Sequence, residues 1–184
     1  MNHGLEVGER AAVELSHAGA LAACSRGLRW LEERLLALSS LALLGAAVVL
    51  TGSVATRYVF KVPTDWQDEA SVFLIVGATF LSGAYVQSQR GHVGIAALAA
   101  LLPPRVERWR VIVADLVSLL FCAFFSWKSW TLLHEAVAEG QTTSSTWAPP
   151  LWIPYGLMAA GMTLLALRLL LQLLTHFASR EAAR

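Results

Sequence analysis

Charge is scarce in this chain. Only 15% of its 184 residues are Asp, Glu, Lys or Arg and the formal net charge is +1, so there is no clustered basic face of the kind that nucleic acid demands. Cysteine is nearly absent. The two present, Cys24 and Cys122, sit too far apart in depth to be bridged and suggest neither a disulfide framework nor a redox pair. HExxH, CxxC, P-loop and GxSxG patterns are missing as well, which leaves no catalytic constellation and points away from an enzyme. Also missing is any long polar stretch from which a folded soluble domain of ordinary size could be built.

What fills the chain instead is apolar sequence, 56% of all residues. Four runs, about 35–58, 66–86, 111–133 and 151–174, are each long enough to cross a bilayer, since a span needs about 20 apolar residues at about 1.5 Å rise each. The predicted fold class is an all-α integral membrane protein of four transmembrane helices within residues 28–176. An N-terminal amphipathic interfacial helix is expected over Leu28–Leu35, where Leu28, Trp30, Leu31 and Leu35 alternate with Arg29, Glu32, Glu33 and Arg34. An extended first transmembrane helix accounts for the same segment. Residues 1–27 and 177–184 read as tails, the first of them mobile. Leu21-Ala22-Ala23-Cys24 resembles a lipoprotein processing site, but Glu6, Glu9, Glu14, Ser16 and His17 spoil the basic start and apolar core of a signal peptide.

Arginine placement predicts orientation, because Lys and Arg in short flanking segments stay on the cytoplasmic side. Arg10, Arg26, Arg29 and Arg34 precede the first span; Arg90, Arg105, Arg108 and Arg110 lie between the second and third; Arg168, Arg180 and Arg184 lie near or after the end of the fourth. The connection from Glu135 to Pro150 has no Lys or Arg, and in the first connection Arg57 and Lys61 are balanced by Asp65, Asp68 and Glu69. Both termini are therefore expected inside. Trp30, Tyr58, Trp66, Trp109, Trp127, Trp130, Trp147, Trp152 and Tyr155 mark span ends as headgroup anchors.

Ionisable residues inside spans are costly and tend to be paired or functional. Asp115 and Arg168 fall at similar depth and are candidates to pair; in the alternative reading Arg168 snorkels to the headgroups and Asp115 faces a partner or water. Lys128 falls near the depth of Asp68 and Glu69, making an ion pair across those helices a second candidate, while the two acids also suit a helix start. His92, His134 and His176 do not share both depth and a helix core, so haem is not expected, nor any other cofactor or metal. Small residues at helical spacing, Ala78 with Ser82, Gly156 with Ala160 and Gly45 with Gly52, are expected to face other helices.

The order of local signals carries a resemblance. Arg57-Tyr58-Val59-Phe60 closes the first span and Pro63 with Asp65-Trp66-Gln67-Asp68-Glu69 opens the second; Arg90-Gly91-His92-Val93, Leu102-Pro103-Pro104 and Pro149-Pro150-Leu151-Trp152-Ile153-Pro154-Tyr155 follow. From Leu28 to Leu174 the chain closely resembles the small membrane (Q or DctQ-type) subunit of tripartite ATP-independent periplasmic (TRAP) transporters. Relatives often carry an acid shortly after the histidine, where this chain has Ala96. The resemblance implies a scaffold subunit in a bacterial inner membrane, within a sodium-coupled transporter of organic acids. Its partners would be a large membrane subunit, expected as a separate chain, a periplasmic substrate-binding protein, and phospholipids. It also suggests roles. Trp66, Asp68 and Glu69 would meet the large subunit or the substrate-binding protein; Arg90 and His92 would cap helices or hold lipid phosphate; Arg105, Arg108 and Arg110 would contact anionic lipid. Simple helix-end and headgroup contacts explain the same residues. Two other function classes remain open: a four-helix membrane anchor of a redox enzyme, and a self-contained homo-oligomeric transporter.

Overall fold

The structure is a computed structural model that describes residues 3–61, 63–89 and 103–181, with the side chains of residues 3–22, 24, 104, 105, 107, 108 and 176–181 left aside. Four helices account for nearly all of it: α1 (His3–Phe60), α2 (Asp65–Ser88), α3 (Pro104–Ala138) and α4 (Trp152–Glu181). Each contains a segment long and apolar enough to cross a membrane, Ser25–Phe60, Asp65–Ser88, Trp109–Ala138 and Trp152–Thr175. Helix is the dictated choice there, since a lipid-facing backbone must satisfy its own hydrogen bonds. The segment Leu28–Leu35 is not a separate element. It continues without a break into the first span, and α1 at 58 residues is about 87 Å long at about 1.5 Å per residue.

The helix ends follow from local chemistry. Lys61 takes the left-handed conformation (φ 54°) and its N–H reaches Arg57 O at 3.2 Å, a single-bond cap after which Pro63 prevents further helix. α3 opens on Pro103 and Pro104, where a missing amide hydrogen is harmless. It closes on Gly140 (φ 61°) in a Schellman motif, with Gln141 N bonded to Ala136 O at 3.0 Å and Gly140 N to Val137 O at 3.4 Å. The connection to α4 then folds on itself through Thr143 N to Pro149 O (3.1 Å) and Leu151 N to Gln141 O (3.0 Å).

The helices form an open row in the order α1, α2, α4, α3. α2 packs on α1 and α4, α3 packs extensively on α4 alone among the described residues, and α1 touches α4 only locally. The seams run at heptad spacing, the signature of left-handed helix packing. On α1 the buried stripe is Glu32, Ser39, Ala46 and Ser53; on α3 it is Asp115, Cys122, Ser129 and Ala136. In lipid the neighbouring solvent is as apolar as a leucine, so association relies on small residues that allow close approach and on polar groups that bond across.

Two glycines show how close the approach is. A Cβ on Gly161 would run into the Phe80 backbone, including its carbonyl carbon at 2.6 Å, and one on Gly77 would meet Leu157 Cδ1 at 2.9 Å. These contacts place α2 and α4 nearly backbone to backbone. On the other side of α4, Met162 and Leu169 close over Cys122 of α3, with Phe80, Leu119, Met158, Leu165 and Ala166 around them. Of Gly45 and Gly52, both expected to face another helix, the first does and the second does not. Gly45 faces only Leu74 Cδ1 at 3.8 Å and Gly52 has open space, while Ala46 and Ser53, one residue on, carry the seam. The heptad is right and its phase is offset by one residue, because small size permits close approach without dictating the azimuth.

Candidate functional site

Among the described residues, three clusters of polar side chains bond one helix to another. The first lies where α1 meets α2. Arg57 Nη2 donates to Thr64 Oγ1 at 2.8 Å and to Asp68 Oδ2 at 2.6 Å. Ser53 has one proton, shared between Thr64 Oγ1 at 2.7 Å and Asp68 Oδ1 at 2.9 Å. Thr64 and Ser53 are buried beneath an Arg57–Asp68 ion pair whose side chains are about half exposed. Thr64 stands at the N-cap of α2, yet its hydroxyl makes no cap bond; the ring takes it instead.

This arrangement overturns one expected ion pair. Asp68 is held by Arg57 and Ser53, while Lys128 places its ammonium 5.0 Å over the ring of its neighbour Trp127. Sharing a depth does not bring α2 and α3 together, because α4 stands between them. Glu69 is partly buried, with Oε2 enclosed and lacking a hydrogen-bond partner. Trp66 is half exposed and packs edge-on against Trp147 of the α3–α4 connection, ring centres 6.4 Å apart.

The second place is the α3–α4 seam. Thr163 gives its proton to Ala159 O at 2.7 Å. Its oxygen is then free to accept from Ser126 Oγ at 2.8 Å and Trp130 Nε1 at 3.0 Å, which satisfies all three groups in one stroke. Trp130 is therefore more than a headgroup anchor.

The third place is at the far end of the row, where α1, α2 and α4 converge. Gln87 Nε2 donates to Gln172 Oε1 at 3.1 Å, and Gln172 Nε2 returns a bond to Gln87 O at 3.2 Å. Beside them Arg168 Nη1 lies 3.8 Å from Glu32 Oε2, with Glu32 wholly buried and Arg168 nearly so. Arg168 thus finds its countercharge on α1, not in Asp115. The physical reason is azimuth: Asp115 shares the α3 stripe with Cys122, which packs against Met162 and Leu169, whereas Arg168 shares a heptad position with Gly161 on the α2-facing side. Asp115 itself is buried.

Of the other residues singled out from sequence, Arg110 is partly buried at the start of the third span. Arg105 and Arg108 lie in the first turns of α3, with side chains outside the described set. Arg90 and His92 lie outside the described residues. The residues that sequence reasoning passed over are Ser53, Thr64, Thr163, Gly161 and Glu32. Ser53, Thr163 and Gly161 are small or polar residues inside apolar runs, and Glu32 stands at heptad spacing from Ser39, Ala46 and Ser53, whereas Thr64 lies in the α1–α2 connection and carried no such signal. Among the described residues, no three His, Cys, Asp or Glu side chains lie close enough together to hold a metal ion.

Comparison with known proteins connects this framework to a transporter component. Residues 46–179, which hold the end of the first span and the whole of the other three, match the family model described as tripartite ATP-independent periplasmic transporters, DctQ component. The chain is 25% identical over 149 residues to the C4-dicarboxylate TRAP transporter small permease protein DctQ of Vibrio cholerae serotype O1, a match covering 69% of this chain and 64% of that relative. The chain therefore spans slightly under two thirds of that relative's length.

Proposed function

The chain belongs to the DctQ component family of tripartite ATP-independent periplasmic transporters, and on that premise we propose that it is the small permease subunit of such a transporter in a bacterial inner membrane. In this reading it acts as a scaffold: it widens the fixed part of the assembly in the bilayer while a separate large membrane subunit moves the solute. The transported solute is an organic acid, taken up with sodium and delivered by a periplasmic substrate-binding protein. The relative's own name specifies C4-dicarboxylates, which makes short dicarboxylates the first class to try. Both termini face the cytoplasm, in keeping with the arginine-rich segments at that end.

The observation that carries the scaffold role is the open row. Its polar contacts tie α1 to α2, α3 to α4, and α4 to α1 and α2. Transporters that bind solute use broken helices and convergent mid-membrane polar groups; the bonds described here instead hold unbroken helices together. An open row also leaves long apolar flanks, with Leu41, Leu44, Val48 and Val54 exposed on α1 and Leu120, Phe121 and Phe124 on α3. A larger membrane subunit would cover one of these flanks. At the end of the row carrying Trp66 and Trp147, the aromatic pair and the folded α3–α4 connection give the substrate-binding protein a firm surface to meet.

The test is to tag the chain at native expression, extract it gently and identify its partners by mass spectrometry. A stoichiometric polytopic membrane partner is expected. Recovery of the chain alone, or with redox proteins and a haem or quinone spectrum, overturns the reading, and solute movement by the purified chain alone in proteoliposomes would replace it with an autonomous transporter.

A further inference from the structure

Lys128 is a charge that the row of helices answers only in part. Its depth is fixed by its neighbours: Ser126 and Trp130 bond Thr163 at 2.8 and 3.0 Å, and Thr163 stands at the middle of the fourth span, Trp152–Thr175. That register carries Lys128 to mid-membrane, deeper than its sequence position suggests. Ten residues separate it from Ala138, the nearer end of its own span, which is about 15 Å at about 1.5 Å each. The side chain is exposed, forms no ion pair among the described residues, and holds its ammonium 5.0 Å over the ring of Trp127. One ring face meets one side of an ammonium that has three N–H donors. A charge facing hydrocarbon at this depth is costly. Nor can it snorkel out: a helical side chain leans toward the N-terminus of its helix, which for Lys128 is away from the nearer end, and the distance exceeds a four-carbon stem.

The face around Lys128 has the pattern of a helix seam. Val117, Phe121, Phe124, Lys128, Thr131 and Glu135 follow one another in alternating steps of four and three residues, and all are exposed. This stripe lies about 100° round α3 from the one that carries Ser129 and Cys122, on a helix that packs extensively on α4 alone among the described residues. Phe121 and Phe124 both bear on Phe125, with ring centres 4.6 and 6.1 Å apart, so the surface is held in shape before anything meets it. The exposed flank of α1 differs. Its hydroxyls at Ser40 and Thr51 give their protons to Leu36 O and Ala47 O of their own helix, which suits that flank to lipid as it stands.

We infer that the large membrane subunit packs on this α3 stripe and presents a carboxylate to Lys128 at mid-membrane; the inference rests on the small-subunit reading above and decides which flank the partner covers. A carboxylate supplies the opposite charge and accepts the N–H donors that the Trp127 ring leaves. A lipid phosphate lies at the membrane surface, about 15 Å from mid-depth. A second copy of this chain, related by a two-fold axis along the membrane normal, would place its helices at matching depths. Glu135, the acid on the same stripe, is about 10.5 Å along the axis from Lys128, so two such stripes face to face would set Lys128 against Lys128.

The test uses the complex in its native membrane, with a photoreactive benzoyl-phenylalanine in place of Phe121 or, separately, of Leu44 on α1, together with Lys128→Leu and Lys128→Arg chains. Photo-adducts to the polytopic partner several-fold stronger from position 121 than from position 44 are expected. Adducts no stronger than from position 44, or adducts to lipid or to a second copy of the chain in their place, overturn the inference. Lys128→Leu is expected to lower recovery of the partner several-fold, because it strands the partner's carboxylate in the interface, and Lys128→Arg to keep it. Recovery unchanged by Lys128→Leu, as for a side chain that faces lipid, overturns the inference as well. Unfolding of the isolated Lys128→Leu chain in SDS reads folding alone and is expected to match the wild type; easier unfolding would give Lys128 a partner within its own chain and overturn the inference. A wild-type chain that brings down no polytopic partner overturns the small-subunit reading and this inference with it, whereas a partner recovered equally by wild type and Lys128→Leu overturns this inference alone.

Discussion

The crossing of α2 and α4 gives a graded test from four glycines. A Cβ at Gly161 would lie 2.6 Å from the carbonyl carbon of Phe80 and 2.8 Å from its Cβ, whereas ordinary contact begins at 3.4 Å. Taking the carbonyl carbon, 3.4 minus 2.6 requires α2 and α4 to part by about 0.8 Å. Backbone cannot rotate away as a side-chain tip can. Parting two packed helices forfeits much of the dispersion along their seam, and Gly161→Ala is expected to destabilise by about 1–3 kcal/mol, the usual range for overpacking. At Gly77 the obstacle is Leu157 Cδ1 at 2.9 Å, the end of a flexible side chain. Gly77→Ala should therefore require only a displaced rotamer, about 0.5–1.5 kcal/mol. Gly45, with its nearest neighbour at 3.8 Å, and Gly52, with open space, should accept alanine within about 0.5 kcal/mol. The assay is reversible unfolding of the purified membrane protein in mixed micelles of rising SDS content, read by tryptophan fluorescence. The order Gly161, then Gly77, then Gly45 and Gly52 alike is what the geometry demands. If Gly161→Ala unfolds no more easily than Gly52→Ala, α2 and α4 do not cross at backbone contact and the central seam has been misplaced.

The polar joints should respond as distinctly. Thr163→Val leaves Ser126 and Trp130 without their acceptor and is expected to destabilise by about 1–2 kcal/mol in the same assay, several times the effect of Thr131→Val, whose hydroxyl bonds only its own helix at Trp127 O. Ser53→Ala should lower stability by about 1 kcal/mol, since the buried ring at α1–α2 loses a member. Double-mutant cycles should find coupling between Arg57→Ala and Asp68→Ala and none between Lys128→Ala and Asp68→Ala; coupling in the second cycle would bring α2 and α3 together and refute the row.

Depth, azimuth and neighbour order are three separate coordinates of a membrane helix, and they were not equally legible. Depth follows from hydropathy and bilayer thickness, so the four spans and the breaks at Pro63 and Pro103-Pro104 could be read directly. The same rule drew the first span's start at Leu35 and so set Glu32 outside the membrane core, although α1 carries it on as continuous helix to Arg168. Azimuth was half legible: Gly45 and Gly52 have the right period, but the seam belongs to Ala46 and Ser53. A better signal was available in the polar residues, because a Ser, Asp or Glu inside an apolar run avoids lipid whereas a glycine tolerates either side. Asp115, Cys122, Ser129 and Ala136 mark the packed face of α3 by their heptad repeat, while Ser118 and Thr131 off that repeat stay exposed. Neighbour order had no local signal at all. Both ion pairs expected across helices rested on matched depth alone; the structure instead gives Asp68 to Arg57, Arg168 to Glu32 and Lys128 to the ring of Trp127. A charge reaches another helix only where the two touch, so depth can disqualify a pairing but contact must decide it: α1 and α4 meet locally at Glu32 and Arg168, whereas α4 separates the helices that carry Lys128 and Asp68.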